Sequence, residues 1–178
     1  MLDKKGQVWI ETVIYILIGL ALIALVLSFV LPRINEQKDR IMIEQTILSL
    51  NQIDEAINEV IDAGEGNRRI IELNMKVGKL SFDFDAVTGN SDTDKIIFLL
   101  NGLEKPYSEP GLEIPIGRVK AKTSNDKIIS VTLTLEYKGV ADLTFNDKQI
   151  VNEVTPSSRP YRFAIENKGA TINIIKIS

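Results

Sequence analysis

The apolar positions of this chain fall into three successive patterns: unbroken, then spaced by threes and fours, then alternating. From Thr12 to Leu31 the run TVIYILIGLALIALVLSFVL holds 20 residues without a charge. As an α-helix it is about 30 Å long, the thickness of a bilayer's hydrocarbon core. A buried helix of a water-soluble domain is usually shorter and keeps a polar stripe, and this run has none. The pattern predicts a transmembrane helix. Beyond it, Ile43, Ile47, Leu50, Ile53, Ile57, Val60 and Ile61 recur mostly at threes and fours, and Gln45, Asn51, Gln52, Glu55, Asn58 and Glu59 lie opposite. That is one apolar face of an amphipathic helix. Pro32 removes one intrahelical hydrogen bond and is expected to kink the helix near 32. Glu36 and Arg40 are spaced as a favourable i,i+4 pair, and Gly64 is a natural stop. A single helix over 7–63 follows, apolar over 12–31 and amphipathic over 33–63.

From residue 64 to 178 the period becomes two. Ile129, Val131, Leu133, Leu135 and Tyr137 alternate with polar residues across Lys127–Tyr137, the mark of a strand with one buried face. Lys138-Gly139 predicts a hairpin turn into Val140–Phe145. Ile71, Leu73 and Met75 precede a Val77-Gly78 turn, after which Leu80, Phe82 and Phe84 alternate again. Ile96–Leu100 reads as a short buried strand, and Leu112–Lys122, with Pro115, as an edge strand or bulge. Tyr161, Phe163 and Ile165 alternate before Asn167-Lys168-Gly169, and a last strand over Ala170–Ile177 changes register at Ile174-Ile175, a candidate bulge. About eight strands joined by turns predict an antiparallel sandwich-like or barrel-like head. The fold class is α+β: a long transmembrane and amphipathic helix, then a β-rich head.

The apolar run is too long for a secretory signal peptide, and Leu31-Pro32-Arg33 is not a small-x-small cleavage site. A carboxylate, Glu11, stands at the very front of the run. At a membrane edge such a group needs a partner or water, which makes it a candidate functional residue. Lys4 and Lys5 precede the span while Arg33, Lys38 and Arg40 follow it, so basic residues alone do not orient it.

Composition removes several chemistries. The 178 residues include no His and no Cys, so imidazole catalysis, thiol nucleophiles, disulfides and His or Cys metal sites are absent. A formal charge of −3 lacks the basic footprint of a nucleic-acid binder. No Gly-rich phosphate loop occurs, and no spacing supports a hydrolase. The balance favours a structural or interaction protein over an enzyme, with no cofactor expected.

Lys4-Lys5-Gly6-Gln7, followed by Glu11 and an apolar helix, resembles the class III signal peptide of archaeal type IV pilin-like proteins. The resemblance covers about the first 30 residues and is carried by the basic-Gly-Gln-x-x-x-Glu pattern. It implies that residues 1–6 are a leader cut by a prepilin peptidase between Gly6 and Gln7, with the hydrophobic helix retained. Gln7 becomes the first mature residue and Glu11 the fifth. Trp9 stands where many members carry a small or hydroxyl residue. In such filaments the helices bundle in a dry core, where Glu11 would pair with the new amino terminus of a neighbouring copy and fix register. The resemblance further implies a single-pass membrane protein with an extracytoplasmic head, a cell-surface filament after assembly, and copies of itself or related pilins as partners.

The head offers one candidate metal stretch, FDFDAVTGNSDTD, with Asp83, Asp85, Asn90, Asp92 and Asp94. Asn90-x-Asp92-x-Asp94 has the opening of a calcium loop, but Lys95 replaces the sixth-position Gly and Asn101 the twelfth-position Glu. A polar turn is the simpler reading. Arg68, Arg69, Lys76 and Lys79 form a small basic cluster, and no Asn-x-Ser/Thr sequon occurs. Two functions compete: a pilin or pseudopilin serving adhesion or secretion, and a non-polymerising, signal-anchored extracytoplasmic binding module. The first needs leader removal and Glu11, and the second needs neither.

Overall fold

The computed structural model describes residues 4–84 and 93–177. One helix, α1 (Lys4–Ala63), is followed by ten strands: β1 (Arg68–Leu73), β2 (Lys79–Asp83), β3 (Lys95–Leu103), β4 (Glu113–Ile116), β5 (Val119–Asn125), β6 (Ile129–Glu136), β7 (Leu143–Phe145), β8 (Val151–Val154), β9 (Tyr161–Asn167) and β10 (Ile172–Lys176). Helix assignment runs through Pro32 without a break. The chain divides into two compact units, Met1–Asp39 and Arg40–Ser178.

The described residues of the first unit are all helical. Arg33 and Glu36 pair one turn apart near its end, at 3.7 Å.

In the second unit the amphipathic half of α1 and two sheets share one core. The stripe read from the sequence is buried: Ile43, Ile47, Leu50, Ile53, Ile57 and Val60 are each at most 7% exposed. Ile61 is half-buried against them. Arg40 pairs with Glu44 at 3.0 Å on the solvent side. The helix stops where expected, with Gly64 at φ 84°, a conformation only glycine adopts cheaply. The carbonyls of Val60, Ile61 and Ala63 near its end are satisfied. The Asn67 side-chain amide donates to Ala63 O at 2.7 Å, Gly64 N to Ile61 O at 3.2 Å, and the Asn167 amide to Val60 O at 2.9 Å.

A four-stranded sheet has the order β1-β9-β10-β7 and a six-stranded sheet the order β4-β5-β6-β3-β2-β8. All pairs are antiparallel except β7 with β10. Rings from both sheets meet in the core: Phe82 of β2 lies 5.1 Å from Phe145 of β7 and 5.5 Å from Phe163 of β9, centroid to centroid. Such offset and edge-on contacts are the favoured aromatic geometries.

Several strand expectations need correction. Val140–Phe145 does not fold back on the preceding strand. Leu143–Phe145 crosses into the other sheet, where all three residues are buried and pair parallel with Ile172–Ile174. The segments on either side of Val77-Gly78 likewise join different sheets. Leu112–Lys122 is a hairpin of two strands, and Pro115 lies on its edge strand β4, where its missing N–H costs no ladder bond. Register across Ile174-Ile175 is continuous. The break falls instead between Asn101 and Leu103, where Gly102 has φ 79°. Strand β8 adds an element that alternation did not reveal, since only Val154 of its four residues is buried.

Candidate functional site

The apolar run presents its side chains outward along its whole length. Trp9 and Phe29 are each 71% exposed, and Ile16, Leu20 and Ile23 are each 58% exposed. None of the most apolar 18-residue window is buried. The helix is long and apolar enough to cross a membrane, and every side chain of the closed core comes from Ile43 or later.

Hydroxyls in this stretch are tied back to the helix itself. Thr12 Oγ1 donates to Val8 O at 2.9 Å and Ser28 Oγ to Leu25 O at 2.7 Å. Each hydroxyl proton is thereby satisfied within one turn, the arrangement a helix needs where water is absent. Glu11 is exposed, and the Tyr15 hydroxyl donates to its Oε1 at 3.4 Å from one turn away. The backbone of Lys4, Lys5, Gly6 and Gln7 is helical; their side chains lie outside the described part of the structure.

Of the four candidate metal ligands, Asp85 and Asp92 lie outside the described residues. Asp83 ends β2, half-buried and paired in the ladder with Lys95 and Val151. Asp94 is 2% exposed, and its Oδ2 accepts the backbone N–H of Leu143 at 2.7 Å. Its backbone carbonyl accepts the N–H of Tyr137. It ties the start of β3 to β7 and to the end of β6, a structural task for a buried carboxylate. Among the described residues no three acidic side chains gather as a metal would require. The basic cluster is likewise partly absorbed, Arg69 by Glu59 at 2.8 Å and Lys79 by Glu153 at 2.5 Å.

A polar constellation between helix and sheet escaped sequence reading. Asp54 is 7% exposed on the core face of α1. Its Oδ1 accepts the Tyr137 hydroxyl at 2.9 Å, its Oδ2 accepts the Asn58 amide at 3.3 Å, and the Arg118 guanidinium lies 3.5 Å from Oδ2. Arg118 also stands 5.4 Å from the Tyr137 ring centre. Burial, reinforced by the Asp54 carboxylate, pushes the Tyr137 phenol far above its ordinary range. The group locks helix to sheet. One signal was readable: Asp54 falls four residues after Leu50 and three before Ile57, on the apolar face of the stripe.

Two open cavities lie among the described residues of the head. One of about 280 Å³ lies between Met42, Thr46 and Ser49 of α1 and Met75, Val77 and Phe98; the other, about 250 Å³, lies beside Ile61, Val140 and Asn167. Neither gathers a set of titratable side chains. Compared with protein families, curated proteins and solved structures, the chain matches none of them.

Proposed function

We propose that the chain is a structural subunit, pilin or pseudopilin, of an archaeal type IV pilus-like surface filament that serves adhesion or secretion. The observation carrying this reading is the apolar helix. None of its residues from 12 to 31 is buried, while the head completes its core without them. A surface of that size needs lipid before assembly and other helices after it.

On this reading the basic-Gly-Gln-x-x-x-Glu pattern supplies the maturation step. A prepilin peptidase cuts between Gly6 and Gln7, and the Glu11 carboxylate receives the new amino terminus of a neighbouring copy. Among the described residues Glu11 accepts the Tyr15 hydroxyl at 3.4 Å, and a cationic partner from another copy would satisfy it better. The sandwich-like head stays outside the membrane and faces the surroundings. The role is non-enzymatic.

The test is the intact mass of the protein purified from its own membranes, paired with electron microscopy of Glu11→Ala. A mass starting at Gln7, with filaments lost in the variant and membrane insertion kept, is expected. A mass starting at Met1 would retire the filament reading and leave the anchored binding module.

A further inference from the structure

Beyond Met1 the chain holds two sulfur atoms, those of Met42 and Met75, and no Cys. The fold brings both to one place. Met42 on α1 and Met75 in the turn after β1 line the same open cavity of about 280 Å³. The two are held differently. Met75 is 2% exposed inside the core, and its carbonyl accepts the Ser157 N–H at 3.0 Å. Met42 is half-buried and packs against the core from outside it. The cavity admits small solutes, since one water needs only about 10–15 Å³ of such space.

In a protein without thiols, thioethers are the side chains that two-electron oxidants attack first. The other groups lining the cavity are hydrocarbon, hydroxyl, amide and ammonium, which a peroxide leaves intact. We propose that Met42 is a modification site for hydroperoxides, and that its sulfoxide loosens the seam between α1 and the turn that carries Met75. In the step, a lone pair of the Met42 sulfur attacks one oxygen of the peroxide. The S–O bond forms as the O–O bond breaks. The departing oxygen keeps the bonding pair, takes up the proton and leaves as water or an alcohol. Sulfur loses two electrons and the peroxide gains them. The product puts a strong hydrogen-bond acceptor where an apolar, polarisable atom stood. Two hydroxyls lining the cavity are already engaged: Thr46 Oγ1 donates to Met42 O at 2.8 Å and Ser49 Oγ to Gln45 O at 3.0 Å. The remaining side-chain donors, on Gln45, Asn74 and Lys76, are exposed. The new oxygen is therefore satisfied by drawing Met42 toward water and off the core. The inference concerns the head alone and does not rest on filament assembly.

Full-length protein in phosphatidylcholine vesicles is treated with hydrogen peroxide, digested and mapped by mass spectrometry, while thermal unfolding of the head is followed in parallel. One oxygen is expected on Met42 several times faster than on Met75, with an unfolding midpoint lower by several degrees. Equal rates at the two sulfurs would overturn the proposal, as would a Met42-oxidised protein that unfolds like the untreated one. Met42→Leu keeps the volume without the sulfur. Its midpoint should stay unmoved by peroxide, and a fall as large as that of the wild type would place the damage elsewhere and count against Met42. Met75→Leu should retain the fall, because the first oxygen goes to Met42. A fall abolished in that variant instead would move the site to Met75 and sink the assignment.

Discussion

The two halves of α1 are built from the same Ile, Leu and Val side chains and meet opposite fates. Ile23 in the first half is 58% exposed, and Ile57 in the second is fully buried. The difference lies in what separates the apolar residues. Polar side chains interleaved at threes and fours leave a single face that a sheet can cover. An uninterrupted run leaves no polar side for water, and only lipid or other helices can surround it. The largest way to break this comparison is to cut between the units. A chain starting at Arg40 retains every core residue and is expected to leave the membrane fraction, stay monomeric in water and melt cooperatively. Aggregation or a non-cooperative melt would show that the head depends on the apolar half. Point substitutions sharpen the same contrast. Ile57→Ala should cost the head about 2–5 kcal/mol in denaturant unfolding, the range for emptying a buried aliphatic site. Ile23→Ala should leave that transition in place.

Glycines repeat the contrast at one atom's scale. A Cβ added at Gly78 would collide with Phe98 Cε1 and lie 2.7 Å from Leu99 O, at a backbone φ of 78°. A Cβ at Gly19, in the apolar run, meets nothing within 4 Å. Gly78→Ala is therefore expected to destabilise the head by about 1–3 kcal/mol from strain and overpacking together. Gly19→Ala should leave the head unchanged and favour the helix by up to about 1 kcal/mol. Thermal melts of the two variants side by side decide it; equal midpoints would mean that the approach of Gly78 to β3 is not a tight one.

Sequence reading succeeded where structure is local and failed where it is long-range. The stripe from Ile43 to Val60, the stop at Gly64 and the edge position of Pro115 each follow from residues a few positions apart. Leu143–Phe145 was misplaced because Lys138-Gly139 specifies a turn but not a destination; its partner strand lies about thirty residues further on. Strand β8 was missed because one buried valine makes no alternation. Asp94 was legible as an oxygen donor, yet its acceptor role is fixed by Leu143, 49 residues away. Tyr137 was read as the last apolar residue of a strand, while its hydroxyl serves Asp54, 83 residues back. In the candidate site the exposed run and Glu11 were visible at once.

That Tyr137–Asp54 bond gives the next prediction in size. Tyr137→Phe keeps the ring under Arg118 but removes the donor to a buried carboxylate oxygen, a loss of about 1–3 kcal/mol. It also changes the alkaline limb. The folded state holds the phenol proton above its ordinary value of 10.0, so the stabilisation is complete below pH 10. It falls as the pH rises above that value, because only the unfolded chain releases the proton there. One proton corresponds to a slope of about 1.4 kcal/mol per pH unit. Urea titrations from pH 9 to 11 should show the wild-type head losing stability faster than the phenylalanine variant. Parallel curves would mean that the hydroxyl is not held by Asp54.

The smallest effect belongs to the surface of the six-stranded sheet, where Lys120 on β5 donates to Glu136 on β6 at 2.7 Å and reaches Glu113 on β4 at 3.7 Å. The Lys120 hydrogen bond holds the Glu136 carboxyl below its ordinary value of 4.5, and the Lys120 ammonium is raised in turn, chiefly by the same bond. A lowered carboxyl stabilises the fold above the unfolded value and ceases to do so as the pH falls through the folded one, so the pair's contribution is complete above pH 4.5 and is lost on the acid limb below it. Both side chains are more than a third exposed, and water and salt screen such a pair to near the limit of detection. Glu136→Gln should therefore flatten the acid limb slightly, with the difference vanishing at high salt, while Tyr137→Phe keeps its alkaline difference under the same conditions. The two bonds have nearly equal lengths, 2.7 and 2.9 Å. A salt-insensitive Glu136 effect would mean that the sheet surface is shielded from water in the assembled protein, as the outer face of a free head is not.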